Sequence, residues 1–261
     1  MARILMVGCG NMGGALLARW SDVLDHQFVV IDPALPDLPD TVIGYRDAQA
    51  VENGEFDALI VAVKPQLIEK AMPAIAPLLA NGGVVISIAA GASAAMTRRA
   101  SGDAPVVRLM PNLPAQIAMG VCGLFAQDDC TQAHKDLANA LAEAVGTTLW
   151  LDNEDLIDRI TAVAGSGPGY VYEFARTYQN AAQALGFSPE QSRMLVEETL
   201  RGAMELSRRD DRAFAELRSA ITSEGGTTAA GLSALNGDGQ LDVRLDDTLK
   251  AAYSRAIALR N

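Results

Sequence analysis

The sequence predicts an α/β fold: an N-terminal Rossmann-type, doubly wound sheet over residues 1–151, followed by an all-helical domain over residues 152–261. Two observations carry this. The apolar run Ile4-Leu5-Met6-Val7 leads straight into Gly8-Cys9-Gly10-Asn11-Met12-Gly13 and then into helix-like Ala15-Leu16-Leu17-Ala18-Arg19-Trp20. Beyond it, short β-rich runs alternate with helix-like segments until Asp152-Asn153-Glu154-Asp155, after which only helical patterns remain. Strand-helix alternation implies a mainly parallel sheet covered on both faces, with ligands at the carboxyl ends of the strands.

The first element carries the chemistry. Gly8 permits a tight strand-to-helix turn, Gly10 lets backbone approach a pyrophosphate, and Gly13 lets helix and strand pack closely. Asn11 and Met12 open a helix whose N–H groups and dipole favour phosphate, so the pyrophosphate is expected on Gly10, Asn11 and Met12. A tight turn without a ligand is the plainer reading of the same residues. The second strand, 27–31, ends in Asp32-Pro33. Asp32 lies 19 residues beyond Gly13, close to where an acidic residue accepts hydrogen bonds from the adenosine ribose. A carboxylate there repels a 2′-phosphate, so NADH is favoured over NADPH. Alternatively Asp32 only begins a turn, and Arg46 rescues a phosphate if its loop folds over the ribose.

Further strands are expected at 58–63, 84–89, 106–109, 121–125 and 147–151, with helices at 67–79 and 132–144. In the second half, Tyr170, Val171, Phe174, Ala175, Tyr178, Ala181, Ala182 and Leu185 recur at three- and four-residue spacing and make one apolar face. Ser188-Pro189-Glu190-Gln191 reads as a capped helix start running through Leu206. Helices then follow at 212–221, 228–235 and 246–260. About 110 helical residues enclose little interior, so this domain is expected to pack against another copy of itself. Gly165-Ser166-Gly167-Pro168-Gly169 is either an interhelical break or a close approach of helix backbones from two subunits; three glycines favour the second.

Composition narrows the field. A net charge of −11 opposes nucleic acid and anionic membrane surfaces. No apolar run is long enough to span a bilayer, and the N-terminus shows no signal-peptide layout. Cys9, Cys122 and Cys130 have neither metal nor redox spacing, so no metal is expected, Cys9 reads as a small turn residue, and a cytoplasmic location fits. His26 and His134 read as surface residues rather than catalysts.

Four more segments narrow the reading. They are Ala62-Val63-Lys64-Pro65, Met110-Pro111-Asn112, Gly165-Ser166-Gly167-Pro168 and Gly225-Gly226-Thr227-Thr228. In this order, and with Ser87-Ile88-Ala89-Ala90-Gly91 and Asp155-Leu156-Ile157-Asp158, they resemble the pyrroline-5-carboxylate reductase family over nearly the whole chain. The resemblance implies hydride transfer from NAD(P)H to the C=N bond of 1-pyrroline-5-carboxylate, giving L-proline. It also implies a helical dimerisation domain and assembly as a homodimer or a decamer. By match, Ala62, Val63, Lys64 and Pro65 line the nicotinamide end, Ala89 and Ala90 border it, and Met110, Pro111 and Asn112 shape its pocket. Asp47 stands where an asparagine commonly supports the ribose, while Glu154, Thr227 and Thr228 match positions that contact proline or its precursor. The family usually has proline where this chain has Glu224, which adds negative charge near a substrate carboxylate.

The residues also speak without the family. Reducing a ketone needs an acid such as His, Lys or Tyr, and only Lys250 among the lysines lies beyond residue 135. This disfavours a β-hydroxyacid-type dehydrogenase. A protonated imine needs orientation, a carboxylate anchor and exclusion of water instead. Ser223, Gly225, Gly226, Thr227 and Thr228 supply such an anchor if they open a helix, with Thr228 as the catalytic hydrogen-bond donor. The same residues equally suit a glycine C-cap followed by a threonine N-cap. A non-catalytic NAD(P) sensor and a reductase of a six-membered imine remain open alternatives.

Overall fold

The structure is a computed structural model describing residues 1–52 and 54–260. It divides into two compact units, residues 1–168 with 251–261, and residues 169–250. Strand-helix alternation stops at 150, next to the boundary expected from sequence; by compactness the first unit also takes in the helical turns up to Pro168 and the end of the last helix.

The first unit is built on eight strands: β1 (Arg3–Val7), β2 (Gln27–Ile31), β3 (Ile43–Tyr45), β4 (Phe56–Val61), β5 (Leu79–Ser87), β6 (Val106–Met110), β7 (Gly120–Ala126) and β8 (Gly146–Trp150). Their order is β3-β2-β1-β4-β5-β6-β7-β8. All neighbours are parallel except β6 and β7. Strand order reverses between β1 and β4, which opens a crevice at their carboxyl ends. β1 shows why the sheet needs cover on both sides. Ile4 and Met6 point into one buried cluster, Leu5 and Val7 into the other, and all four are inaccessible or nearly so.

Helices α1 (Asn11–Val23), α2 (Pro65–Ile75), α3 (Ala94–Ala100) and α4 (Gln132–Glu143) flank the sheet. Leu16, Leu17 and Trp20 form the buried stripe of α1, and the Trp20 indole N–H donates to the Leu141 carbonyl at 2.7 Å. The helix expected at 67–79 starts earlier and ends at Ile75. Pro77 occupies the 3-10 turn Ala76–Leu78, where its missing N–H cannot continue the ladder. Leu79 already belongs to β5. β3 and α3 were not foreseen from sequence. His134 is buried rather than on the surface: with Thr131 it closes a capping box on α4, and its Nε2 lies 2.8 Å from the Gly82 carbonyl.

α5 (Asp155–Ile160) runs into the π-helical turn Thr161–Gly165 and then α6 (Gly167–Ala184). The Gly165–Gly169 segment is thus no interhelical break. Ser166 N–H reaches the Thr161 carbonyl five residues back, and the Cβ positions of Gly167 and Gly169 are open.

The second unit holds most of α6, then α7 (Pro189–Arg208), α8 (Phe214–Ala220), α9 (Thr227–Asn236) and the first half of α10 (Gln240–Leu259). The Ser188 cap forms as read: its hydroxyl accepts from Gln191 N–H at 3.2 Å and its N–H donates to Gln191 Oε1 at 3.0 Å. This unit encloses almost no core. On α6 only Ala182 is buried, and on α7 only Ser192 and Val196. Val171, Phe174 and Tyr178 of the foreseen apolar face stand 42–56% exposed. No helix among the described residues is long and apolar enough to cross a membrane.

Candidate cofactor cradle and anion clamp

The turn after β1 assigns each glycine a separate reason. Gly8 has φ +90°, and a Cβ there would lie 3.0 Å from the Ala62 carbonyl oxygen and 2.8 Å from Val63 Cγ1. Gly13 sits where a Cβ would be 3.1 Å from the Gly8 carbonyl oxygen and 3.2 Å from Ala62 Cβ, so α1 leans directly on the strand ends. Around Gly10 a Cβ would meet nothing within 4 Å: the approach to the α1 terminus is open. Gly10 is also the N-cap of α1, and no side chain closes the first-turn N–H groups of Asn11, Met12 and Gly13. Backbone bonds lock the turn across the crevice, Gly8 N–H to Ile31 at 2.8 Å and Ala62 N–H to Val7 at 2.9 Å.

A cavity of about 660 Å³ opens beside this turn. Gly8, Gly10, Asp32, Asp47, Ala62 and Val63 line it, with Lys64 and Arg46. Asp32 both starts a turn and faces the crevice: Oδ1 accepts from Ala34 N–H at 2.8 Å and Oδ2 from Cys9 N–H at 2.7 Å. Asp47 is partly committed, since its Oδ1 caps a 3-10 turn by accepting from Gln49 and Ala50 at 3.0 Å. Arg46 donates to the Pro33 carbonyl at 2.8 Å, which holds it next to Asp32. Burial, then the Asp32 carboxylate, push the Cys9 thiol up, and burial pushes Cys122 up to about 12. Both stay protonated at neutral pH, as small apolar residues would require.

An open backbone turn at an uncapped helix end, with an acidic residue at the end of β2, fits a dinucleotide: phosphates on α1, a ribose hydroxyl on Asp32. Other expected residues stand outside this cavity's lining. Pro65 begins α2, behind Lys64 as its N-cap. Ala89 and Ala90 follow β5, one buried and one exposed. Met110, Pro111 and Asn112 are buried at the end of β6. Asn112 is spent on structure, its amide donating to Ala164 at 3.0 Å and its carbonyl accepting from Val121 at 2.8 Å. Glu154 lies against Arg108 and the start of α3 in the first unit.

The second cluster lies in the second unit. Ser223, Gly225, Gly226, Thr227 and Thr228 form the turn that starts α9. Gly225 has φ +68°, and Gly226 N–H closes the turn on the Ser223 carbonyl at 3.1 Å. The N-cap of α9 is Gly226, with no side-chain cap, so Thr227 and Thr228 are its first two helical residues. The threonine N-cap reading therefore falls, because neither hydroxyl closes the helix end. The turn is exposed or half-exposed, as is Glu224 within it.

Sequence reasoning missed the role of Arg108, a fully buried cation at the centre of β6. A charged residue inside the apolar run Val106-Val107-Arg108-Leu109-Met110 was the available signal, since a strand buried on both faces hides every side chain.

A doubly wound sheet with an open glycine turn at its switch point defines a dinucleotide-binding protein of the Rossmann class. Residues 3–91 match the family model described as NADP oxidoreductase, coenzyme F420-dependent, and residues 154–259 that described as pyrroline-5-carboxylate reductase dimerisation. The pyrroline-5-carboxylate reductase of Pseudomonas aeruginosa is 34% identical over 98% of this chain and 96% of its own. That of Pasteurella multocida is 36% identical over 97% and 96%. The solved pyrroline-5-carboxylate reductase from Coxiella burnetii superposes with a TM-score of 0.88 at 30% identity, covering 100% of this chain and 99% of that one. The chain belongs to the pyrroline-5-carboxylate reductase family.

Proposed function

We propose that this protein reduces 1-pyrroline-5-carboxylate to L-proline with hydride from NAD(P)H, a step of proline biosynthesis. The observation that carries the substrate half of this reading is the uncapped start of α9. Free N–H groups at a glycine-capped helix end, flanked by two threonine hydroxyls, suit one carboxylate. NAD(P)H supplies the hydride when bound. The protein's own part is to hold and orient. Gly10, Asn11 and Met12 present backbone N–H groups to the pyrophosphate, while Ala62, Val63 and Lys64 border the nicotinamide end. Ser223 and the 225–228 backbone anchor the substrate carboxylate. Thr228 donates a hydrogen bond, directly or through water, to the lone pair that appears on the ring nitrogen as hydride adds.

No strong protein acid is needed, because a ring nitrogen that already carries a proton is neutralised as hydride adds. The histidines suit that economy. His26 Nδ1 accepts from Ala2 N–H at 3.2 Å and His134 caps α4, so both are structural. The test is NADH oxidation followed optically with pyrroline-5-carboxylate, a six-membered imine and a keto acid in parallel. Turnover with the five-membered imine is expected; turnover with the keto acid alone would overturn the reading. Thr228→Ala should then lower kcat/KM by about 10- to 100-fold, the worth of one hydrogen bond to a charged group. Unchanged kcat and KM would remove Thr228 from the mechanism.

NADH is the preferred cofactor on the same reading. A 2′-phosphate near Asp32 meets a carboxylate, and Arg46 offsets that repulsion only in part. Asp32→Asn keeps an acceptor for Cys9 N–H while removing the charge, so it should lower the NADH/NADPH ratio of kcat/KM by roughly 10-fold. Arg46→Ala should raise that ratio. A ratio untouched by Asp32→Asn would detach Asp32 from cofactor choice.

The helical region is proposed to form a homodimer, open to higher assembly such as a decamer, in the cytoplasm.

A further inference from the structure

Strand register sets Ser87 of β5, Arg108 of β6 and Phe125 of β7 side by side, and in β5 this is the last residue before the 88–93 turn. Arg108 is wholly buried there. Its Nη1 donates to Glu154 Oε1 at 3.1 Å and lies 3.9 Å from Asp158 Oδ1. The same Glu154 oxygen accepts the Ala94 N–H at 2.6 Å, and Ala94 is the first residue of α3. One carboxylate oxygen thus joins the middle of the sheet to the far end of the turn that contains Ala89 and Ala90.

The other side of that turn is fixed too. Gly91 has φ +82° and packs so tightly on the end of α10 that a Cβ would lie 2.8 Å from Leu259 Cβ. The next residue, Arg260, places Nη2 2.6 Å from Asp158 Oδ2. Glu154 therefore meets the far end of the turn at Ala94 and Leu259 packs on Gly91, while Arg108, Asp158 and Arg260 tie these two contacts together.

Stability alone is a poor reason for such a group. Burying a guanidinium is costly, and well-packed apolar side chains commonly replace a buried ion pair without loss. What Arg108 adds is one directed, charge-assisted bond from Nη1, its Nε and Nη2 being buried without a hydrogen-bond partner. Burial lowers the affinity of Arg108 for its proton, and the carboxylates of Glu154 and Asp158 act against that.

We propose that Arg108 is a positioning residue: acting through Glu154, it holds the Ala89–Ser93 turn in the geometry that receives the nicotinamide half of the cofactor. This rests on the dinucleotide reading of the cradle and deepens it: Ile88 N–H donates to the Val61 carbonyl at 3.0 Å, which sets the start of the turn beside Ala62 and Val63 of the cavity, whereas that reading gives the adenosine and pyrophosphate half to the separate Gly8–Gly13 turn.

Titrating NADH and ADP-ribose, which lacks the nicotinamide, into wild type, Arg108→Gln, Glu154→Gln and the double variant tests it. The expected result is an NADH Kd raised about fivefold in each single variant and ADP-ribose affinity within about twofold of wild type. The double variant should be no weaker than either single one, because both remove the same link. Arg108→Lys, which restores the charge, should recover part of the NADH affinity. Equal changes for the two ligands, no change in either, or additive losses in the double variant would overturn the proposal. If Arg108→Gln does not fold, Arg108→Lys with Glu154→Gln completes the same cycle. Wild type that binds both ligands but does not reduce the imine defeats the functional reading, while the binding difference still decides the role of Arg108.

Discussion

Gly8→Ala should abolish NADH binding and lower the melting temperature together. The added Cβ would lie 3.0 Å from the Ala62 carbonyl oxygen and 2.8 Å from Val63 Cγ1, and the first contact is backbone that cannot swing aside. A φ of +90° adds strain of about 1–3 kcal/mol for a residue with a side chain. Overpacking the joint between β1 and β4 adds about 1–3 kcal/mol more. In a chain of this size the sum corresponds to a fall in Tm of roughly 5–15 °C. Gly10→Ala is the informative contrast. Its Cβ meets nothing in the protein within 4 Å, so stability should hold while cofactor affinity collapses, because the methyl group stands where the pyrophosphate approaches. Differential scanning fluorimetry beside an NADH titration separates the two. A Gly10→Ala protein that binds NADH as wild type does would move the phosphate site away from this turn.

That contrast also shows which parts of the molecule could be read from sequence. Gly8, Gly10 and Gly13 were legible because their spacing between a strand and a helix is itself the signal, although the atoms that crowd Gly8 and Gly13 include those of Ala62 and Val63 on a later strand end; the Ser188 capping box was legible because its partner is Gln191 in the same turn. β3 escaped because three partly exposed residues, Ile43-Gly44-Tyr45, show no periodicity to detect. α3 escaped because seven residues make barely two turns. His134 is buried by a carbonyl 52 residues away, and Arg108 meets Glu154 across 46. No local pattern encodes either meeting. The α9 terminus lay between these cases. Its glycines and threonines were visible, but whether Thr or Gly capped the helix depended on the backbone angles of the turn.

The second large effect belongs to the apolar face of α6. Phe174→Asp is expected to convert the oligomer to monomer and to remove activity with it. Phe174 is 44% exposed and Val171 56%, on a unit whose own helices bury almost nothing, and residues 154–259 match a dimerisation model. A face of this kind in water is a liability unless another surface covers it. Losing one buried phenylalanine costs about 1.5–3 kcal/mol, and a two-fold interface counts each substitution twice, so the dimer Kd should rise by roughly 10²- to 10⁴-fold before the cost of burying the new carboxylate. Sedimentation velocity across a concentration series reads this directly. Leu185→Asp, at the 83% exposed end of the same stripe, gives the graded comparison. A Phe174→Asp protein that sediments as wild type does would place the contact on another face of the helical unit. Because that unit has so little interior of its own, its helices should melt at lower temperature in the monomeric variant, with the sheet unit melting separately and the single cooperative transition splitting in two.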